Sequence, residues 1–228
     1  MTKVEVCQRI QEIGVIPAIW VTSAEDACFA AESLERGGIL ILEVTMTGPG
    51  AIDLIAHTVS HHSKVIVGAG TVLDTETAKR AAAAGANFLT APGFDYSIVE
   101  FAAREDLAVL PGALTPTEVV TAWRVGADFV KVFPCSQVGG DKYIKALKKA
   151  LPQIPLIAAG GVTQHTATGF ILAGAAAVGV GTDLIPPEAI ARRQAERIQE
   201  LSHRFLAFVN DARTRMAGGI VKPPLAKK

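Results

Sequence analysis

Lys131 sits in the stretch Phe129-Val130-Lys131-Val132-Phe133, an unusual setting for an amine. Side chains alternate along a strand, so Phe129, Lys131 and Phe133 share one face while Val130 and Val132 share the other. An amine held among inward-facing aromatic rings loses hydration, which disfavours its charged form. The neutral amine is the nucleophile that condenses with a carbonyl to give a Schiff base. The bland alternatives are a lysine snorkelling past outer helices and one neutralised in an ion pair. A mid-strand position among apolar residues favours the nucleophile.

Glu43 ends Ile39-Leu40-Ile41-Leu42-Glu43 in the same manner, with Ile39, Ile41 and Glu43 on one face. A carboxylate beside Lys131 can shuttle protons as a carbinolamine becomes an iminium and an enamine is reprotonated. It can also be half of a structural ion pair. Thr71 closes Val-Ile-Val-Gly-Ala-Gly-Thr, where Gly68 and Gly70 admit a ligand or a neighbouring backbone. Its hydroxyl can bond a substrate carboxylate or hydroxyl, although Gly-Thr after a strand is also ordinary turn chemistry. Gly160-Gly161 and Gly181-Thr182 form a second constellation. Glycines let backbone N–H groups approach an anion and Thr182 adds a hydroxyl, so this pair of turns predicts a phosphate site. Two tight turns without a ligand are the alternative. Thr163 is expected to cap the following helix.

The elements that must position these groups alternate. Short β-branched runs cover residues 15–20, 39–45, 65–71, 87–92, 107–112, 128–134, 155–161 and 177–182, and Ala-rich helical stretches follow them. Ser23 and Asp74 are placed to cap helices. Gly37, Gly85, Gly126 and Gly174 are placed to stop them with a left-handed residue. Eight strand–helix units predict a (β/α)8 TIM barrel, whose chemistry belongs at the C-terminal ends of the strands and whose phosphate sites often follow strands seven and eight. A doubly wound open sheet is disfavoured because no GxGxxG follows the first run. Residues 1–216 read as a single domain in which 188–209 form a long closing helix. Residues 217–228 read as a flexible C-terminal tail.

The 228 residues are half hydrophobic and 19% charged, which argues against a disordered chain. The 22 basic residues balance 22 acidic ones, removing the bulk electrostatic reason to expect nucleic acid or an anionic membrane. No apolar run approaches the roughly 20 residues that span a bilayer. No signal-peptide pattern opens the chain, and Cys7, Cys28 and Cys135 fit a reducing compartment, so a cytoplasmic location is expected. His57, His61 and His62 lie at one-turn spacing but lack the Glu of HExxH, so no metal is expected there; no cofactor is expected either.

The segments ILEVT, VGAGTV, TAPG, LPGALTPTE, KVFP, AAGGVT and GVGTDLI occur in this order. Together they resemble the 2-keto-3-deoxy-6-phosphogluconate and 4-hydroxy-2-oxoglutarate aldolase family, over about residues 5–208. The resemblance implies a trimeric barrel and a metal-free class I aldolase. Lys131 of Lys-Val-Phe-Pro would form the Schiff base and Glu43 would move protons. Thr71, Pro92 and Phe133 would contact substrate. Gly160, Gly161, Gly181 and Thr182 would hold a distal phosphate. The implied reaction cleaves a 2-keto-3-deoxy sugar acid, 6-phosphorylated, to pyruvate and an aldehyde such as glyceraldehyde 3-phosphate. One feature departs from the pattern. The arginine that clamps the pyruvate carboxylate falls at Trp20 or Thr47, and neither is basic. An altered ketone, an isomerase or epimerase using Glu43 as base, and a non-catalytic phosphosugar-binding barrel are the alternatives.

Overall fold

A computed structural model describes residues 1–218. The β-branched runs form parallel strands: β1 (Val15–Ile19), β2 (Ile41–Thr45), β3 (Ile66–Gly70), β4 (Phe88–Thr90), β5 (Ala108–Leu110), β6 (Gly112–Ala113), β7 (Val130–Val132), β8 (Leu156–Ala159) and β9 (Ala177–Val180). Neighbours pair in the order β5-β4-β3-β2-β1-β9-β8-β7-β6. The expected fifth strand is split into β5 and β6 at Pro111, which has no N–H to give a ladder. The sheet closes there. Pro111 still accepts from the Lys131 N–H at 2.9 Å, and the Val109 carbonyl accepts from Asp128 at 3.1 Å. The eight-unit barrel is therefore present, with one strand drawn as two segments.

The helices are α1 (Lys3–Ile13), α2 (Ala24–Arg36), α3 (Ala51–His61), α4 (Thr75–Ala83), α5 (Tyr96–Arg104), α6 (Pro116–Arg124), α7 (Asp141–Ala150), α8 (Ala167–Leu172), α9 (Pro187–Ala191) and α10 (Ala195–Ala217). Ser23 caps α2 and Asp74 caps α4, each through a side-chain oxygen accepting a backbone N–H. Gly85, Gly126 and Gly174 have the expected positive φ, but at the end of α2 the left-handed residue is Gly38 rather than Gly37. Thr163 does not cap α8; Thr166 occupies that position, and the Thr163 carbonyl accepts from the Thr166 and Ala167 N–H groups.

The closing helix over 188–209 is also corrected. It is broken at 192–194, where Arg193 has φ +53° and its guanidinium pairs with Glu25 and Asp26 on α2. That ion pair turns the chain between α9 and α10, and α10 then continues to Ala217. From residue 219 the tail lies outside the described residues.

Helix α1 packs on the adjacent strands β1 and β9 and also on β5, which lies across the ring from them, so it spans the end where the strands start. Thr2 and Glu5 cap it reciprocally, and Val6, Ile10 and Ile13 are its buried residues. Lys3 pairs with Asp128, just before β7, at 3.0 Å. Inside the barrel, glycine on one strand makes room for a large neighbour. A Cβ on Gly68 would lie 2.2 Å from the Phe88 ring. One end of the barrel is thus plugged, leaving the C-terminal ends of the strands for a site.

Candidate active site

The C-terminal ends surround a cavity of about 260 Å³. Lys131 reaches it from β7 and Glu43 from β2, across the barrel. Lys131 Nζ lies 3.6 Å from Glu43 Oε1, and the two side chains are only 12% and 7% exposed. Nζ makes its hydrogen bond to a third group, donating to Thr90 Oγ1 at 3.3 Å, and lies 5.6 Å from the Phe133 ring centre. Gly70 clears the space for the carboxylate: a Cβ there would sit 2.0 Å from Glu43 Oε1. An amine, a carboxylate and a hydroxyl thus meet beside an enclosed volume. That set can form and dismantle an imine.

Thr71, Pro92, Phe133, Gly160, Gly161, Gly181, Thr182 and Trp20 all line the same cavity. Thr71 has φ +57°, a left-handed conformation uncommon for a residue with a branched side chain and of the kind that gathers at functional sites. Gly160 and Gly161 have φ +84° and +79°, and a Cβ on Gly161 would meet Ser136 Oγ at 1.9 Å. These glycines are therefore required by packing as well as by any ligand. Trp20 stands at the mouth, 58% exposed, with its ring where a Cβ on Gly181 would lie 2.8 Å away.

Thr47 does not join this group. It is exposed and does not line the cavity, because β2 ends at Thr45 and the chain turns away. Thr45 itself is buried, and its hydroxyl has no hydrogen-bond partner among the described residues. Two polar residues escaped the sequence reading, Thr90 beside the Lys131 amine and Asp183 on the cavity wall. Thr90 shares the inward face of β4 with Phe88, and that alternation was the available signal. Asp183 follows Thr182 at the other end of the cavity, and its carboxylate makes no ion pair or hydrogen bond among the described residues.

Cys135 adjoins this region, but burial pushes its thiol up to about 12, so it stays protonated at neutral pH. His57 and His61 stack on each other outside the barrel, with ring centres 4.0 Å apart. No group of three or more His, Cys, Asp or Glu side chains converges as a metal site among the described residues.

The family profile described as KDPG and KHG aldolase matches residues 6–201. A 2-dehydro-3-deoxy-phosphogluconate aldolase of Treponema pallidum is 29% identical over 206 residues, covering 90% of this chain and 98% of that protein. A relative of the same name from Zymomonas mobilis is 31% identical over 157 residues, covering 69% and 75%. Among solved structures, KDPG aldolase from Legionella pneumophila, with pyruvate captured as a covalent carbinolamine intermediate, superposes with a TM-score of 0.81. It is 30% identical and covers 86% of this chain and 96% of that one.

Proposed function

The chain belongs to the KDPG and KHG aldolase family, and from that premise we propose that it is a class I aldolase cleaving a 2-keto-3-deoxy sugar acid to pyruvate and an aldehyde. The observation that carries this reading is the buried approach of Lys131 Nζ to Glu43 Oε1, 3.6 Å apart beside the cavity. A binding protein has no use for an amine kept there.

In the mechanism, the Nζ lone pair forms a bond to C2 as the ketone π pair moves to oxygen. Glu43 takes one Nζ proton and delivers it to that oxygen. A second protonation lets water leave, and the nitrogen lone pair makes the iminium. The C3–C4 bond then breaks, its electrons enter the enamine with the iminium nitrogen as sink, and Glu43 accepts the C4 hydroxyl proton. Reprotonation at C3 and hydrolysis release pyruvate and restore the amine. Each transfer needs the carboxylate within hydrogen-bond reach of the atom concerned, and its place beside Nζ supports that role.

Thr71 and Trp20 flank the keto-acid end in this reading, with the Thr71 hydroxyl as a neutral donor to the carboxylate. Gly160, Gly161, Gly181 and Thr182 hold the distal group of the aldehyde half through backbone N–H and hydroxyl donors. The relatives named above supply the phosphorylated sugar acid as the first substrate to try. Pro92 and Phe133 wall the cavity between these ends. No cofactor or metal enters the scheme. A homotrimer in the cytoplasm, with no nucleic-acid or membrane partner, completes it. Among the described residues no helix is long and apolar enough to cross a membrane. A second reading, an altered ketone lacking the carboxylate, rests on the absence of a basic side chain at Trp20 and Thr47.

The test is intact-mass spectrometry after borohydride reduction with pyruvate, followed by peptide mapping. A pyruvyl adduct on Lys131, lost in folded Lys131→Ala together with turnover, is the expected outcome. Wild-type turnover in that variant would remove the Schiff base. Adducts formed only with uncharged ketones would favour the second reading.

A further inference from the structure

Resting on the aldolase reading above, we propose that Thr90 is a further catalytic residue: its hydroxyl accepts the Nζ–H that survives on the iminium, and so fixes the plane in which C3–C4 is cleaved. Three observations lead there. The hydrogen bond that Lys131 Nζ makes goes to Thr90 Oγ1 at 3.3 Å, whereas Glu43 Oε1 stands at 3.6 Å. Thr90 is only 2% exposed, so water does not compete for its hydroxyl. Its side chain makes no other hydrogen bond among the described residues, and it projects from β4, a different strand from those that carry Lys131 and Glu43.

The proton count assigns the two partners different roles. A neutral amine has two N–H bonds and one lone pair. With one N–H directed at Thr90 and the other at Glu43, the lone pair faces the cavity where C2 must arrive. Forming the protonated iminium removes one of those two protons, which passes through the carboxylate to the departing oxygen. The other remains. A threonine hydroxyl is far too weak a base to take it, so the N–H held by Thr90 is the one that stays, and Thr90 gains and loses no proton. That retained hydrogen bond stops rotation about the Nζ–C bond to the lysine side chain. With the C4 side of the substrate held at the far end of the cavity, the fixed iminium plane keeps the C3–C4 bond parallel to the π orbital that receives its electrons. Such alignment lowers the barrier after substrate is bound, so its loss appears in kcat.

Thr90→Val keeps the shape and deletes the acceptor; Thr90→Ser restores it. Three readouts are compared in wild type and both variants: the rate of borohydride-trapped pyruvyl adduct, kcat and KM for cleavage, and exchange of the pyruvate methyl protons in D2O. In folded Thr90→Val, kcat and methyl exchange are expected to fall roughly 10–100-fold with KM changed by less than about threefold, and Thr90→Ser to recover most of the loss. Wild-type kcat and exchange in Thr90→Val would overturn the proposal, as would a loss confined to KM or one that Thr90→Ser fails to recover. If Thr90→Val does not fold, Thr90→Ala and Thr90→Ser are compared in its place by the same criteria. Absence of any adduct in wild type would instead sink the aldolase reading on which the inference rests.

Discussion

At the scale of single residues, the cavity contains more acid than base. Among the described residues Lys131 is its sole basic lining residue, while Glu43 and Asp183 are both carboxylates. Glu43 has the amine to face. Among the described residues Asp183 has no such partner, and it adjoins the Gly181-Thr182 turn, where the proposed reading puts the anionic distal group. A carboxylate near a phosphate repels it, and partial burial weakens solvent screening. Asp183→Asn is therefore expected to raise kcat/KM for a 6-phosphorylated sugar acid by about tenfold relative to the unphosphorylated one, mostly through KM. Steady-state kinetics on the two substrates checks this; an unchanged ratio would place the Asp183 carboxylate away from the distal group. The contrast with Lys131 marks what alternation can reveal. Lys131 and Glu43 interrupt apolar runs, so their types stand out against their neighbours. Thr90 has the same inward phase, but a β-branched threonine is an ordinary strand residue. Its chemistry comes from the 41 positions of chain separating it from Lys131, a distance that only folding closes.

At the scale of elements, the strand–helix alternation was readable because several helices, α2, α4 and α6 among them, carry their own start signals. The turn from β6 into α6 is an example. Thr115 accepts the Glu118 N–H at 3.3 Å, Glu118 accepts from Leu114 and Thr115 at 2.7 and 2.8 Å, and Pro116 follows at the first turn. Those backbone donors hold the Glu118 carboxyl below the usual carboxylate range. A lowered folded value means the stabilisation is complete above the unfolded pKa and disappears as pH falls through the folded one. Glu118→Ala should thus cost about 1 kcal/mol at neutral pH, and the deficit should shrink in acid below about pH 4, read from urea midpoints. A pH-independent deficit would assign the loss to packing alone. The misread elements have equally local causes. Pro111 splits a strand because the ladder lacks one N–H. Arg193 breaks the last helix because two carboxylates on α2 capture its guanidinium, a contact that no helical periodicity contains.

At the scale of the whole molecule, the ring is secured where its last unit meets its first. Helix α10 packs along α8 and α2 and carries Arg213 to the plugged end. There the guanidinium donates to the carbonyls of Gln11, Glu12 and Ala176, closing the seam between α1 and the start of β9. Burial lowers its pKa, though a guanidinium stays charged at any ordinary pH. Arg213→Ala would leave those carbonyls short of donors and is expected to cost about 2 kcal/mol, with pyruvyl adduct formation unchanged. A urea midpoint and the trapping assay separate the two effects, and loss of adduct formation in a folded variant would contradict the division of labour between the ends. Neither the plug nor the seam was visible in the sequence, since the plug ties Lys3 to Asp128 and the seam ties Gln11 to Arg213, pairs that only folding brings together.

That arrangement has a practical side. Lys3, tied to Asp128, and Arg213, tied to the end of α1, both sit at the floor of the barrel, while Trp20 and Thr182 rim its opposite mouth. An anchor attached near α1 would hold the catalyst floor-down, so that immobilisation on a bead or a scaffold leaves the mouth turned toward the solution.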